Sequence, residues 1–137
     1  MGRHTRYMLD TDICSYIIRG SHPQLLPHLE QHEKELCVSS ITAYELMYGA
    51  FRKASPKLVR WLHLFLHKFT VVEWTGDDAI LCGKLRAELE KEGTPIAQDD
   101  LMIATSALNQ KAILVTNNIE HFRRIRNLQW ENWTEKD

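Results

Sequence analysis

Three acids on three separate segments carry the chemical potential of this chain. Asp10 follows the short apolar run Tyr7-Met8-Leu9, Glu45 closes Ser39-Ser40-Ile41-Thr42-Ala43-Tyr44-Glu45, and Asp100 opens Asp100-Leu101-Met102-Ile103-Ala104. Each lies near the end of a predicted strand or the start of a predicted helix. Three carboxylates in one crevice repel one another and raise each other's pKa unless a cation joins them. A hard divalent ion meets that need, since Mg²⁺ and Mn²⁺ take carboxylate oxygens and keep several waters. Water on such an ion becomes a nucleophile for in-line attack on a phosphodiester, while the ion stabilises the leaving oxygen.

Each of these residues also has a purely structural reading. Thr42-Ala43-Tyr44-Glu45 matches a capping box, in which Glu45 bonds back to a helix terminus. Asp99 and Asp100 suit the cap and first turn of a helix, where the dipole favours acids. Asn118 suits the cap of a last short helix. Taken together at strand ends, the three acids point to catalysis.

The elements that must position them alternate between short apolar runs and longer helical patterns, the signature of βα units and a mostly parallel sheet. Strands are predicted at Tyr7-Met8-Leu9, at Leu36-Cys37-Val38-Ser39, at Thr70-Val71-Val72 and at Ile113-Leu114-Val115, with Leu128-Gln129-Trp130 as an edge strand. Helices are predicted from Ile13 to Ile18 with Gly20 as the stop, over a Pro-punctuated stretch from His22 to Gln31, and from Ile41 to Lys53. Ser55-Pro56 starts another, with Ser as cap and Pro at the first helical position. Leu58, Trp61, Leu62, Phe65, Leu66 and Phe69 give it an apolar stripe wide enough for two faces. The surplus points to a homodimer face or a groove for a partner protein. Further helices run from Asp77 to Glu92, with Ile80, Leu81, Leu85 and Leu89 inward, from Asp99 to Asn109, and from Ile119 to Arg124. The fold class is α/β: an α/β/α sandwich on a four- to five-stranded sheet. In such sheets the ligand site lies beyond the carboxyl ends of the strands, where Asp10, Glu45 and Thr116-Asn117-Asn118 fall.

Composition bounds the rest. At 137 residues the chain fits one domain, 1–137, with residues 1–6 as a short flexible extension. With 44% hydrophobic and 26% charged residues it is neither collagen-like, mucin-like nor disordered. Seventeen Lys+Arg against eighteen Asp+Glu leave a net charge of -1, so any case for nucleic acid must be local. Two clusters make that case: Arg52, Lys53, Lys57, Arg60 and Lys68 in the acid-free stretch between Glu45 and Glu73, and Arg123, Arg124 and Arg126. They suit phosphate contacts, or else simply a solvated helix face. Cys14, Cys37 and Cys82 form no CxxC pair and are expected as buried thiols. No apolar segment follows Met1-Gly2-Arg3-His4, and no apolar run approaches membrane-spanning length, so a cytoplasmic protein is expected. His28/His32 and His63/His67 have an i, i+4 spacing that can hold a metal, but Leu29 and Leu64 stand where HExxH needs Glu. These are read as surface or amphipathic-stripe histidines. No GxxxxGK[ST], GxGxxG or GxSxG is present.

Tyr7-Met8-Leu9-Asp10-Thr11-Asp12, Ser39 through Ala50, Asp100-Leu101-Met102-Ile103-Ala104 and Val115-Thr116-Asn117-Asn118 with Phe122 resemble the successive motifs of the PIN-domain ribonucleases. Within them the chain is most similar to the VapC toxins of bacterial toxin–antitoxin pairs. The resemblance implies a metal-dependent endoribonuclease toxin that cuts structured RNA, inhibits translation and is held inactive by a VapB-like antitoxin. Gly93-Thr94-Pro95-Ile96 is similar to the subgroup that cuts the anticodon stem-loop of initiator tRNA. By position it makes Asp10, Glu45 and Asp100 the family acids, with Asn118 where many members carry a fourth. One ion held by Asp10 and Asp100 is then expected, with Glu45 acting through water. Thr11, Asp12, Ser40 and Thr116 would surround the ligands, and Asp99 would be a helix cap.

Two other readings compete. A strand ending in Asp10-Thr11-Asp12 also resembles the haloacid-dehalogenase phosphatases, with Asp10 as nucleophile and Asp12 as general acid; Cys14 and the lack of a later Ser/Thr or Lys strand weigh against it. A scaffold that binds RNA or a partner without cutting is supported only by the missing fourth acid.

Overall fold

A computed structural model describes residues 6–135; most of the expected terminal extension therefore lies outside the described residues. The order is β1 (Tyr7–Leu9), α1 (Thr11–Arg19), a 3₁₀ turn at Pro23–Leu25 running into α2 (Leu26–Gln31), and a second such turn at Glu33–Glu35. Then come β2 (Leu36–Ser39), α3 (Ser40–Arg52), α4 (Pro56–Leu66), β3 (Thr70–Val72), α5 (Gly76–Lys91), α6 (Gln98–Gln110), β4 (Ile113–Val115), α7 (Ile119–Phe122) and β5 (Trp130–Glu131).

Local chemistry sets most helix starts. Asp10 caps α1, its Oδ1 accepting from Ile13 N at 2.8 Å, and Gly20 ends that helix at φ 66°. Ser55 caps α4 through Leu58 N, with Pro56 behind it. Thr75 and Asp78 form a reciprocal capping box at α5. The predicted helix from His22 to Gln31 splits into a 3₁₀ turn and a six-residue α2, because Pro23 and Pro27 each remove a backbone donor. The last short helix stops at Phe122, and the edge strand is Trp130–Glu131 because Leu128 turns inward to the core.

All five strands are parallel, in the order β3-β2-β1-β4-β5. Alternate strand residues serve opposite faces. Met8, Cys37 and Leu114 join one core cluster with Cys82, Leu89, Ile103 and Phe122, so α5, α6 and α7 cover that face. Leu9, Val38 and Val115 join Ile13, Leu46, Leu62 and Phe65 on the other, under α1, α3 and α4. The three cysteines are free and buried in these cores.

Ile80 corrects the expected inward face of α5: it is 76% exposed, while Asp78, Cys82, Leu85 and Leu89 face inward. Those four recur at i, i+4, i+7 and i+11, and Ile80 lies more than a quarter turn outside that stripe. Asp78 sits inside because its Oδ1 accepts from Asn109 Nδ2 at 2.6 Å, tying α5 to α6. On α4, Trp61 stacks on Phe65 and Phe69 meets Phe65 edge-on, so much of the stripe is consumed in the core. The larger exposed apolar face is Tyr44, Tyr48 and Phe51 on α3.

Candidate active site

The strand order reverses at β1, whose neighbours are β2 on one side and β4 on the other, and the crevice of such a sheet opens at the carboxyl ends there. Leu9 pairs with Val115, so Asp10 and Thr116 emerge side by side, and Asp10 N donates to Val115 O at 3.1 Å. Asp10 is 3% exposed. Burial pushes its carboxyl up to about 7, against the lowering effect of hydrogen bonds from the Thr116 hydroxyl and Ile13 N.

Glu45 arrives from α3. Ser39, not Thr42, caps that helix through Ile41 N, so Glu45 lies beyond the first turn and the capping-box reading fails. Its Oε1 accepts from the Thr11 hydroxyl at 2.6 Å, and Thr42 Oγ1 lies 3.2 Å from Thr11 Oγ1. Burial pushes Glu45 to about 7, helped by a hydrogen bond with the Asp99 carboxyl.

Asp99 is a correction. The cap position of α6 is Ala97, and Asp99 turns toward Glu45 across the α3–α6 contact while its Oδ1 accepts from Asp100 N at 3.1 Å. The Glu45 bond pulls Asp99 below the usual carboxylate range while burial pushes Glu45 above it, so the two carboxyls titrate as one pair. Asp100 is pushed up by burial and eased back by His121, whose Nδ1 lies 3.1 Å from Oδ2. Asn118 Nδ2 donates to the same oxygen at 3.4 Å; its side chain makes no cap bond to α7. Exposed Asp12 stands near enough to raise both Asp10 and Asp100. Ser40 is drawn away from the acids: its Oγ accepts from Trp74 N at 3.0 Å and pins the segment after β3.

Sequence reasoning missed Asp99, Thr42 and His121 as neighbours of the acids. Asp99 precedes Asp100 in a first turn that abuts α3, and His121 follows Asn118 by three residues; those spacings were the available signals.

The donor set fits a hard divalent cation. Asp10, Glu45, Asp99 and Asp100 interact in one crevice, and among the described residues no Lys or Arg is bridged to any of them; His121 meets Asp100 through Nδ1. No three acid or imidazole donors among the described residues already form a metal cage. An ion such as Mg²⁺ is commonly held by one or two carboxylates and keeps several waters. Asp10 and Asp100 would hold it, with Glu45 reaching it through water.

A pH dependence follows. Asp10 holds a proton up to about pH 7 when folded but only to about 3.8 when unfolded, so the native state binds more protons between those values. Stability of the metal-free protein therefore falls as pH rises through that window, by at most about 4 kcal/mol from Asp10. Thermal melts between pH 4 and 8 should show the fall, and Mg²⁺ or Mn²⁺ should reverse it most at the alkaline end.

A model of the PIN domain matches residues 7–128. The chain belongs to the PIN domain family. It is 37% identical over 129 residues to ribonuclease VapC2 of Haemophilus influenzae, covering 93% of this chain and 98% of that relative. Within the PIN family the chain is therefore a VapC-type ribonuclease. It is 33% identical to the tRNA(fMet)-specific endonuclease VapC of Salmonella typhimurium, with the same coverage. The DNA-bound VapBC of Salmonella typhimurium superposes with a TM-score of 0.88 at 33% identity, over 94% of this chain and 98% of that one.

With the PIN family shown, the phosphatase reading of Asp10 and Asp12 loses its basis. Arg52, Lys53, Lys57, Arg60 and Lys68 are exposed on α3, α4 and the turns beside them; Lys53 lines the groove that holds Thr11 and Glu45, whereas Lys68 leads into the amino end of β3, away from the crevice. Arg123, Arg124 and Arg126 are exposed just past α7, where Arg123 lies 3.8 Å from Glu120 and Arg124 reaches Pro95 O at 3.5 Å. A groove of about 190 Å³ between α1, α3 and α4 runs from Thr11 and Glu45 to Arg19 and Lys53. His28 and His32, expected as surface or amphipathic-stripe histidines, are half-buried, and both rings stack on Trp133.

Proposed function

We propose that this VapC-type PIN ribonuclease is a Mg²⁺- or Mn²⁺-dependent endoribonuclease toxin. It cuts the anticodon stem-loop of initiator tRNA, stops translation in the cytoplasm, and is neutralised by a cognate VapB-like antitoxin. The observation that carries the reading is the meeting of Asp10, Glu45 and Asp100 beside the carboxyl ends of β1 and β4.

A bound divalent ion supplies an activated water and neutralises charge on the phosphodiester. The chain does the rest. Asp10 and Asp100 hold the ion. Asp10 is kept in place by Ile13 N and Thr116, so its carboxylate is oriented before substrate arrives. Glu45, steadied by Thr11 and pushed up by burial, is placed to exchange a proton with water in the crevice. The exposed arginines and lysines on either side position the RNA backbone by its phosphates.

The target rests on the relatives named for tRNA(fMet), at 33% and 32% identity, and on Gly93-Thr94-Pro95-Ile96. The antitoxin rests on related structures solved as VapBC assemblies. For such a partner, the groove from Arg19 and Lys53 to Glu45 is a path into the site. Homodimerisation rests on Tyr44, Tyr48 and Phe51, spaced i, i+4 and i+7 on the open face of α3. No described helix is long and apolar enough to cross a membrane. We take residues 1–137 as one PIN domain.

The test uses antitoxin-free protein with Mg²⁺ on transcripts of initiator tRNA, elongator methionine tRNA, and chimaeras that exchange their anticodon stem-loops. The expected result is one cut that follows the initiator stem-loop into the chimaera. Equal cutting of both tRNAs, or a cut that stays with the rest of the initiator molecule, contradicts the target.

A further inference from the structure

Resting on the nuclease reading, a further role emerges at the corner of the crevice away from Glu45. There Asp100 is gripped twice. His121 Nδ1 stands 3.1 Å from Oδ2, and Asn118 Nδ2 stands 3.4 Å from the same oxygen and 2.9 Å from Nδ1. The grip is itself anchored. Asn118 N donates to Thr116 Oγ1 at 2.9 Å, and the Thr116 hydroxyl bonds Asp10. His121 N donates to Asn118 O at 3.2 Å, and Phe122 beside it is fully buried. Thr116, Asn118 and His121 thus form a continuous link from Asp10 to Asp100, built on the end of β4.

We propose that His121 is a positioning residue for the cleavage reaction: with Asn118 it occupies Oδ2 of Asp100, leaving Oδ1 as the oxygen that binds the divalent cation shared with Asp10. With its hydrogen on Nδ1 the imidazole donates to the charged Asp100 carboxylate, and Asn118 Nδ2, which can only donate, gives its own hydrogen to the same oxygen. With Oδ2 engaged by His121 and Asn118, Oδ1 would be the Asp100 oxygen left to a cation. The corner presents nitrogen donors where a second hard cation would need oxygen ligands. The site is therefore built for one ion.

The test is a Mn²⁺ titration followed by electron paramagnetic resonance on the full-length, antitoxin-free protein, alongside kcat and KM for RNA. The wild type should bind one Mn²⁺. His121→Ala should weaken Mn²⁺ binding about 10–100-fold and lower kcat with little change in KM. His121→Asn, whose amide nitrogen stands near the place of Nδ1, should restore most of both; His121→Gln, whose donor stands near the place of Nε2, should not. That Asn/Gln contrast carries the test if His121→Ala fails to fold. The double variant Asn118→Asp/His121→Ala should admit a second Mn²⁺. Unchanged Mn²⁺ affinity in His121→Ala, equal behaviour of the Asn and Gln variants, or two Mn²⁺ in the wild type overturns the proposal. A wild type that binds no Mn²⁺ and cuts no RNA overturns the nuclease reading itself, which normal wild-type behaviour with an indifferent His121→Ala does not.

Discussion

Asp10→Asn should lower RNA cleavage by roughly 10³-fold or more while leaving the protein folded, a loss of about 4 kcal/mol of transition-state stabilisation. The two halves of this expectation come from two jobs done by one side chain. As a cap, Asp10 offers Oδ1 to Ile13 N at 2.8 Å, and asparagine caps a helix about as well. As a cation ligand it must supply negative charge, which asparagine lacks. Its carboxyl is buried and pushed up to about 7, so near neutral pH the metal-free native state bears the cost of a desolvated acid. Asp10→Asn removes that cost. Without added metal at pH 8 the variant should melt higher than the wild type, and Mg²⁺ should no longer raise its Tm. Differential scanning calorimetry beside a single-turnover cleavage assay checks both. A variant that cuts RNA at a tenth of the wild-type rate or better contradicts the assignment.

The second large effect lies far from the acids. Trp133 is 2% exposed and packed between aromatic rings. His28 stacks on it at 5.0 Å and 8°, His32 at 5.3 Å and 16°, and Tyr7 tilts against it at 5.3 Å. Its Nε1 donates to Glu131 Oε1 at 2.9 Å, inside β5. The indole therefore clamps the edge strand and the following segment onto α2 and β1. Trp133→Ala should cost about 3–5 kcal/mol in urea unfolding, because the hole lies between elements distant in sequence and has no flexible neighbour to fill it. Trp133→Phe should cost less, since it keeps most of the stacked surface. A Trp133→Ala cost under about 1 kcal/mol contradicts the clamp.

The fold was largely legible in the chain. Four of the five strands fall where apolar runs bounded by turn signals put them, since a three- or four-residue buried strand is little more than such a run. Ser55-Pro56 and Gly20 marked their helix ends because caps depend on local backbone chemistry. Ile80 misled because α5 buries Asp78, a polar residue whose partner, Asn109, lies on another helix. Hydrophobic periodicity cannot see a core position that is satisfied by a hydrogen bond. The spacing of His28 and His32 suits surface or amphipathic-stripe histidines; both are half-buried because they stack on Trp133, which lies far along the chain.

The same divide runs through the candidate site. Asp10, Glu45 and Asp100 were legible because motif and strand-end position coincide. Asp99 was read as a cap because the helix start could be located only to within a residue or two. With Ala97 at the cap, Asp99 lies two positions further on, in the first turn and turned toward Glu45. His121 gave no signal alone, as its relation to Asp100 exists only once α7 folds back over the start of α6.

The most direct measurement of the central claim is cleavage of initiator tRNA by antitoxin-free protein in excess EDTA, then after stepwise return of Mn²⁺, with Asp100→Asn carried in parallel. The account predicts no cut in EDTA, a single discrete cut that returns with Mn²⁺, and none in Asp100→Asn at any concentration. Cleavage that persists in EDTA, or that survives undiminished in Asp100→Asn, would contradict a crevice in which Asp10 and Asp100 hold the cation that makes the reaction go.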